Sequence, residues 1–102
     1  MREFEFDTAE LQNVTNLYDR LLKALEAPGW HGHNIDALID SMIYGGANGV
    51  EPPYLLRFTH LDEAPGEVRA EVAAMAEGIG NALEERLSLF GSAPEILFDL
   101  KP

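Results

Sequence analysis

The chain contains no cysteine, one tryptophan, and no apolar run that approaches the length of a membrane span. Without cysteine it can form neither a disulfide framework nor a thiolate metal site, and it has no cysteine nucleophile. A membrane-spanning helix needs about 20 consecutive apolar residues, and residues 1–6 lack the basic and apolar regions of a signal peptide. We therefore expect a water-soluble protein of the cytoplasm.

Basic residues are also scarce, because 7 lysines and arginines against 18 aspartates and glutamates give a formal net charge of −11. No basic stretch is present to hold phosphate backbones, which argues against direct binding of nucleic acid. An acidic surface instead attracts cationic partners, and enzymes that act on nucleic acids carry cationic clefts. Acidity is also a common route to solubility, so the charge alone only suggests a basic partner.

The length of 102 residues and the ordinary globular composition indicate one domain over residues 1–102. Apolar patterning predicts strands at residues 3–7, 54–58 and 96–100. It predicts helices from an N-cap at Thr15 to Pro28, from an N-cap at Asn34 to about Ile43, and from Pro65 to Phe90. Parallel neighbours need helical crossovers, so this order predicts an α/β fold with a small three-stranded parallel sheet packed with helices.

The long third helix carries one apolar stripe, although Gly78 and Gly80 weaken its middle and favour a bend there. The stripe consists of Val68, Val72, Met75, Ile79, Leu83, Leu87 and Phe90. We assign Phe4, Phe6, Met75 and Phe90 to the core by this pattern, and by ordinary surface statistics Glu77, Glu84 and Glu85 form a solvated helix face.

The second predicted helix has a buried apolar stripe and a neighbouring side that carries two aspartates. Ile35, Leu38 and Met42 form the buried stripe. Asp36 and Asp40 lie one turn apart beside it, and no base stands four residues after Asp40, so an external cation would suit that carboxylate. Ile39 and Ile43 would help a partner exclude water around it. A solvated acidic face explains the same pattern without a partner, and surface statistics favour that reading.

Residues 28–40, PGWHGHNIDALID, resemble the signature of the barstar family: a proline, an aromatic loop with glycine, then Asn, an aliphatic residue, Asp-Ala-Leu, any residue and Asp. Residues 14–28 resemble the family's first helix, and residues 53–56 and 96–100 resemble its second and last strands. A short insertion falls at residues 45–51, and the helix at residues 65–90 is longer than the family's. The resemblance implies a three-stranded parallel sheet with helices packed on it.

The same resemblance implies a function, because members of this family bind secreted microbial ribonucleases of the barnase type and cover the catalytic cleft. Asp36 and Asp40 would be the electrostatic centre of the interface, with Asp40 taking the place of a substrate phosphate. The other positions expected to contact the partner are Trp30, His31, Gly32, His33, Asn34, Ile39, Ile43, Tyr44 and either Glu84 or Glu85. The resemblance implies a one-to-one complex, a free monomer, and no enzymatic activity, cofactor or metal.

Departures from the family pattern concern the contact surface. Ile39 replaces a family tryptophan, and Trp30 and His31 stand where two tyrosines are familiar. Tyr44 and Gly45 lie near the place of the aromatic residue that follows the helix. Because a few buried aromatic and charged residues dominate most interfaces, we expect a different cognate enzyme, with Trp30 as the aromatic anchor.

Two other functions are compatible with the sequence. His31 and His33 with Asp36 and Asp40 resemble a metal or acid–base cluster, but both imidazoles lie in a loop and the third histidine, His60, is remote. Alternatively, the chain is an acidic immunity or binding module that neutralises another cationic toxin or basic protein.

Overall fold

A computed structural model describes residues 1–102 and contains one sheet of three parallel strands in the order β1-β2-β3. The strands are β1 (Arg2–Asp7), β2 (Tyr54–Thr59) and β3 (Ile96–Leu100). Phe4 pairs with Leu56, which pairs in turn with Phe98. The predicted α/β fold with a small three-stranded parallel sheet is thereby confirmed, and each predicted strand lies within a residue of the observed one.

The two faces of the sheet differ in chemistry because successive side chains of a strand alternate. One face belongs to the hydrophobic core through Phe6, Tyr54, Leu56, Phe58 and Ile96. On the opposite face Arg57 joins the outer strands, its Nη1 lying 3.0 Å from a carboxylate oxygen of Glu3 and its Nε 2.8 Å from Asp99. These hydrogen bonds lower the pKa of Asp99 and raise that of Arg57.

Helix α1 (Val14–Ala24) follows a short 3₁₀ turn and buries its leucine face against the sheet. Its N-cap is Asn13, whose side chain accepts a hydrogen bond from the amide of Asn16, so the prediction of Thr15 as the cap was wrong. Asn13 has the extended backbone that a cap requires, whereas Thr15 already lies in the first helical turn.

Helix α2 (Ile35–Ile39) begins at the predicted cap, Asn34, whose side chain accepts a hydrogen bond from the amide of Ala37. It continues without interruption into one π-helical turn (Asp40–Tyr44) and ends at Gly45, which has a φ of 76°. A positive φ is easily adopted only by glycine, so this residue defines the end of the element. Isolated π-helical turns are frequent at functional sites.

Helix α3 (Gly66–Phe90) runs through both glycines without a break. A Cβ at position 78 would lie 3.1 Å from Cγ2 of Ile35, which shows that Gly78 lets α2 approach α3 closely. No helix in the structure combines the length and apolar character needed to cross a membrane.

The apolar stripe of α3 is fully buried as far as Ile79, and Leu83 packs against the core while partly buried. Val68, Val72, Met75 and Ile79 are fully buried. In contrast, Phe90 is 66% exposed, so its assignment to the core was wrong, and Leu87, on the same stripe, is 54% exposed. Both residues lie in the last two turns of α3, beyond the buried part of the stripe, and they form part of an exposed apolar end of the helix.

Candidate functional site

The loop between α1 and α2 presents the only tryptophan of the chain to solvent. Trp30 is 77% exposed, more than any other large hydrophobic side chain. A backbone hydrogen bond closes this short loop, because the amide of His31 donates to the carbonyl of Pro28 at 3.0 Å. A large apolar ring is therefore held in water next to the start of α2.

His31 points in the opposite direction from Trp30 and is buried beneath the loop. Its Nδ1 lies 2.7 Å from the carbonyl oxygen of Gly32, and its Nε2 lies 2.7 Å from the hydroxyl of Ser41. A carbonyl only accepts, so Nδ1 carries a proton, and in the neutral ring Nε2 accepts from Ser41. Nδ2 of Asn48 donates to the same hydroxyl oxygen at 3.1 Å. We call His31, Ser41 and Asn48 the buried triad.

The buried triad joins three segments: the Trp30 loop, the π-helical turn and the loop that follows it. The second loop is attached to the end of α1, because the amides of Gly49 and Val50 donate to the carbonyls of Glu26 and Leu25. His31 thus has a structural place under the interface, and at 6% exposure its side chain offers a partner little contact surface. Direct contact of His31 with the partner stays a prediction, since its ring is largely buried but also lines the pocket beside Trp30.

A small pocket of about 190 Å³ opens between Trp30 and Asp40. Its remaining lining comes from His31, Gly32, Ala37, Ser41, Gly45 and Ala47. Most of these side chains are small, and Trp30 and Asp40 supply the large aromatic ring and the carboxylate of the pocket. A cation or a hydrogen-bond donor entering it would meet both Trp30 and Asp40.

Asp36 and Asp40 are exposed on α2, and neither carboxylate has a basic side chain within 4.0 Å. Asp36 lies in the first turn, where the helix dipole favours negative charge. Asp40 begins the π-helical turn, beyond the reach of that effect. The structure therefore places the two carboxylates one turn apart without a basic partner, as the sequence predicted, and Asp40 also lines the pocket beside Trp30.

The two isoleucines beside Asp36 and Asp40 differ from each other in burial. Ile39 is half-buried and remains accessible at its edge, whereas Ile43 is only 5% exposed and belongs to the hydrophobic core. The structure thus places the side chain of Ile43 in the core and not at the surface. The extra residue per turn of the π-helical segment rotates position 43 toward the core, a change that regular helical spacing does not predict.

The remaining loop residues shape the start of α2. His33 is exposed and stacks on the ring of Tyr18 at 5.9 Å, while Asn34 caps the helix. A Cβ at Gly32 would lie 3.0 Å from the side-chain nitrogen of Asn34 and 3.2 Å from Cβ of Ala37, so a larger residue there would crowd the capping side chain. The hydroxyl of Tyr18 donates to Glu71 at 2.6 Å, and burial together with this carboxylate raises the pKa of Tyr18.

Tyr44 ends the acidic helix beside an arginine of α3. The guanidinium of Arg86 lies 4.9 Å from the centre of the Tyr44 ring and 5.7 Å from that of Phe90. Its Nη1 also donates to the carbonyl of Ile43 at 3.3 Å. Tyr44 is 61% exposed, so much of its ring is open to solvent while Arg86 lies against it.

Glu84 and Glu85 point to different sides of α3, because neighbouring helical residues project about 100° apart. Position 85 lies two turns after Gly78, which contacts α2, and therefore on the side of α3 next to α2. Glu84 instead lines a groove with Leu83, Leu87 and the start of β3. Of the two glutamates, only Glu85 lies on the side of α3 that is next to Asp36 and Asp40.

The structure gathers no group of three or more His, Cys, Asp or Glu side chains that could hold a metal ion. His31 turns inward to Ser41 and His33 packs outward on Tyr18, so the two imidazoles of the sequence motif diverge. The geometry of these residues does not support the metal or acid–base cluster.

Four residues of the site were missed by sequence reasoning: Ser41, Asn48, Gly78 and Arg86. Ser41 lies in the π-helical turn and is buried. The one signal in the sequence was a polar residue next to the apolar residues Met42 and Ile43. The other three act through contacts distant in sequence, for which the pattern contains no signal.

Comparison with known families gives one match. The model of the family described as Barstar (barnase inhibitor) matches residues 1–93, which run from β1 to the turn before β3. No curated protein matches the chain. The matched region includes the Trp30 loop, all of α2 and all of α3.

Proposed function

The chain belongs to the barstar family of barnase inhibitors, and we propose that it inhibits a microbial ribonuclease of the barnase type by covering the enzyme's active site. The surface that does this consists of Trp30, Asp36, Asp40, Tyr44 and Glu85, which we call the acidic face. The observation that carries the proposal is the unpaired carboxylate of Asp40, which shares a pocket with the exposed Trp30 and lies one turn from the unpaired carboxylate of Asp36.

Asp40 would act as a substrate mimic. A ribonuclease binds the phosphate of RNA with cationic and hydrogen-bonding side chains, and a carboxylate satisfies the same donors. No base of the inhibitor competes for Asp40, so its oxygens are free to accept from the enzyme. A carboxylate on a helix carries no scissile bond, and the enzyme therefore cannot turn it over.

Trp30 would anchor the complex beside this carboxylate. A tryptophan buries about 150–250 Å² when it is covered, and at 77% exposure almost all of that area is available to a partner. At about 25 cal/mol per Å², its burial contributes on the order of 4 kcal/mol before the costs of association. The ring also excludes water from Asp40 once a partner is bound, which strengthens the charged hydrogen bonds.

The net charge of −11 would accelerate the encounter with a cationic enzyme. Long-range attraction of this kind depends on ionic strength, so the association rate is expected to fall as salt rises. The buried triad holds the Trp30 loop on α2 and thereby keeps the acidic face in one arrangement before the enzyme arrives. Such preorganisation reduces the entropy lost on binding.

An inhibitor of this kind has no catalytic role and would act in the cytoplasm as an immunity protein that protects the cell from the ribonuclease. The test is titration of purified protein into a panel of guanyl-preferring microbial ribonucleases while RNA cleavage is recorded. We expect at least one enzyme to lose all activity at one equivalent. If no enzyme of the panel is inhibited, the proposed target class is wrong, and binding to a basic protein without ribonuclease activity would favour the alternative function.

A further inference from the structure

The strand β3 forms a free edge of the sheet, since it pairs only with β2. The amide of Tyr54 donates to the carbonyl of Glu95, and the amide of Lys101 donates to the carbonyl of Phe58. Residues 95 and 101 therefore turn their backbone groups toward β2, and by alternation so do residues 97 and 99. The N–H and C=O groups of Ile96, Phe98 and Leu100 point away from the sheet.

This free edge is flanked by apolar surface. A groove of about 330 Å³ runs between the end of α3 and the strand, and its apolar lining includes Leu83, Leu87, Pro94, Ile96 and Leu97. Leu97 and Leu100 are 44% and 41% exposed, and Leu87 beside the groove is 54% exposed. Unpaired strand edges next to apolar side chains invite another strand, and most proteins protect them with charge or proline.

We propose that two copies of the protein associate through antiparallel pairing of their β3 strands, which forms a continuous six-stranded sheet around a two-fold axis at Phe98. In this register Phe98 faces Phe98 of the second copy, and Ile96 faces Leu100. These three residues carry the outward backbone groups, so the pairing satisfies the free hydrogen-bonding groups of β3. Their side chains share the helix-covered face of the sheet, and the dimer would extend both hydrophobic cores across the axis.

Charge selects this register over its neighbours. An axis at Phe98 places Glu95 opposite Lys101 of the second copy, and symmetry repeats this ion pair. An axis at Leu97 would place Glu95 opposite Asp99, and an axis at Asp99 would bring two aspartates together. Opposite charges on facing residues stabilise an antiparallel pair and like charges destabilise it, so the axis at Phe98 is complementary and these two neighbours are not. An axis at Leu100 would also place Asp99 opposite Lys101, but it would pair a shorter stretch of β3, because the strand ends at Leu100. Closed two-fold symmetry is also the commonest arrangement of homo-oligomers.

The dimer would leave the acidic face free. Leu83 and Leu87 lie on the β3 side of α3, whereas Gly78 and Glu85 lie on its α2 side. Each copy could therefore bind its own ribonuclease. The inference is independent of the proposed function, and it departs from the free monomer expected from the sequence.

The experiment is analytical ultracentrifugation of the full chain from micromolar to near-millimolar concentration. We expect the mass to rise from that of one chain to that of two. Lys101→Glu should raise the dissociation constant of the dimer at least about tenfold, because it converts two ion pairs into two repulsive pairs. The double variant Glu95→Lys with Lys101→Glu restores complementary charges and should restore the dimer.

Lys23→Glu is the matched control, since Lys23 is exposed on α1 and makes no ion pair, and it should leave association unchanged. Leu100→Pro removes an outward N–H without breaking a bond to β2 and should abolish the dimer, with circular dichroism verifying the fold. A chain that stays monomeric at the highest concentration overturns the proposal. So does a dimer that tolerates both Lys101→Glu and Leu100→Pro, because it must form through another face.

Discussion

Nε2 of His31 and the hydroxyl of Ser41 lie 2.7 Å apart inside the protein, directly beneath the loop that presents Trp30. This contact joins a loop and a helix whose residues are ten positions apart in the sequence. Its importance comes from its burial, since a polar group that loses its partner away from water is costly. The arrangement of the acidic face thus depends on a hydrogen bond that is buried beneath it.

Replacement of Ser41 by alanine should therefore destabilise the protein and weaken inhibition together. It leaves Nε2 of His31 and Nδ2 of Asn48 buried without their common partner, at a cost of about 1–3 kcal/mol. Ser88→Ala on the exposed part of α3 is the control and should change the free energy of unfolding by less than about 0.5 kcal/mol. Urea unfolding measures both variants, and equal small effects would contradict the role of the triad.

The two glycines in the middle of α3 should respond differently to alanine. Gly80 has open space where a Cβ would stand, so Gly80→Ala should stabilise the protein by about 0.5–1 kcal/mol through helix propensity. At Gly78 the new Cβ would lie 3.1 Å from Ile35, and most of that gain should be lost to strain between α2 and α3. An equal gain in thermal or urea unfolding at both positions would show that α2 does not pack tightly on Gly78.

The contribution of Asp99 to stability should depend on pH. Hydrogen bonds from Arg57 lower the pKa of Asp99 below its ordinary value of 3.8, so the folded state favours the ionised carboxylate. That stabilisation is present above the ordinary pKa and is lost as the pH falls through the folded value. Asp99→Asn should therefore be less stable than wild type near neutral pH, and the difference should shrink in acid. A difference that stays constant across urea titrations at several pH values would contradict this assignment.

The two glutamates of α3 should differ in their effect on binding. Glu85 lies on the side of α3 next to α2, so Glu85→Gln should weaken the complex and slow its formation at low salt. Glu84 lines the groove beside β3, and Glu84→Gln, which removes the same charge, should leave the affinity unchanged within about twofold. Stopped-flow association with the inhibited ribonuclease compares them, and the reverse order would assign the role to Glu84.

Much of the fold could be predicted because its signals are local. The alternation of residues 3–7, the cap at Asn34 and the apolar run at residues 54–58 each specify an element without tertiary information. The placement of Asp36 and Asp40 on one helical surface could be predicted for the same reason. The cap of α1 was misplaced because Asn13 and Thr15 are both good capping residues, and only the backbone conformation distinguishes them.

The errors within the site have a common physical cause. Helical spacing assigned Ile43 to the surface and Phe90 to the core, and both assignments assume a regular helix with a core along its whole length. The π-helical turn rotates Ile43 toward the core. Phe90 lies beyond the buried part of the α3 stripe and is therefore exposed. His31 is buried by Ser41 and Asn48, which are distant along the chain, so its environment depends on packing that spacing does not describe.

The most direct test of the account is the affinity of Asp40→Ala for an inhibited ribonuclease, measured by titration calorimetry beside Asp62→Ala. Asp62 is an exposed aspartate on the 3₁₀ turn after β2, far from the acidic face in sequence. We predict that Asp40→Ala raises Kd at least about thirtyfold, as expected for a central interface residue, while its unfolding free energy stays within about 0.5 kcal/mol of wild type. Asp62→Ala should change neither quantity. Equal affinity of Asp40→Ala and wild type would contradict the phosphate-mimic role on which the proposed function rests.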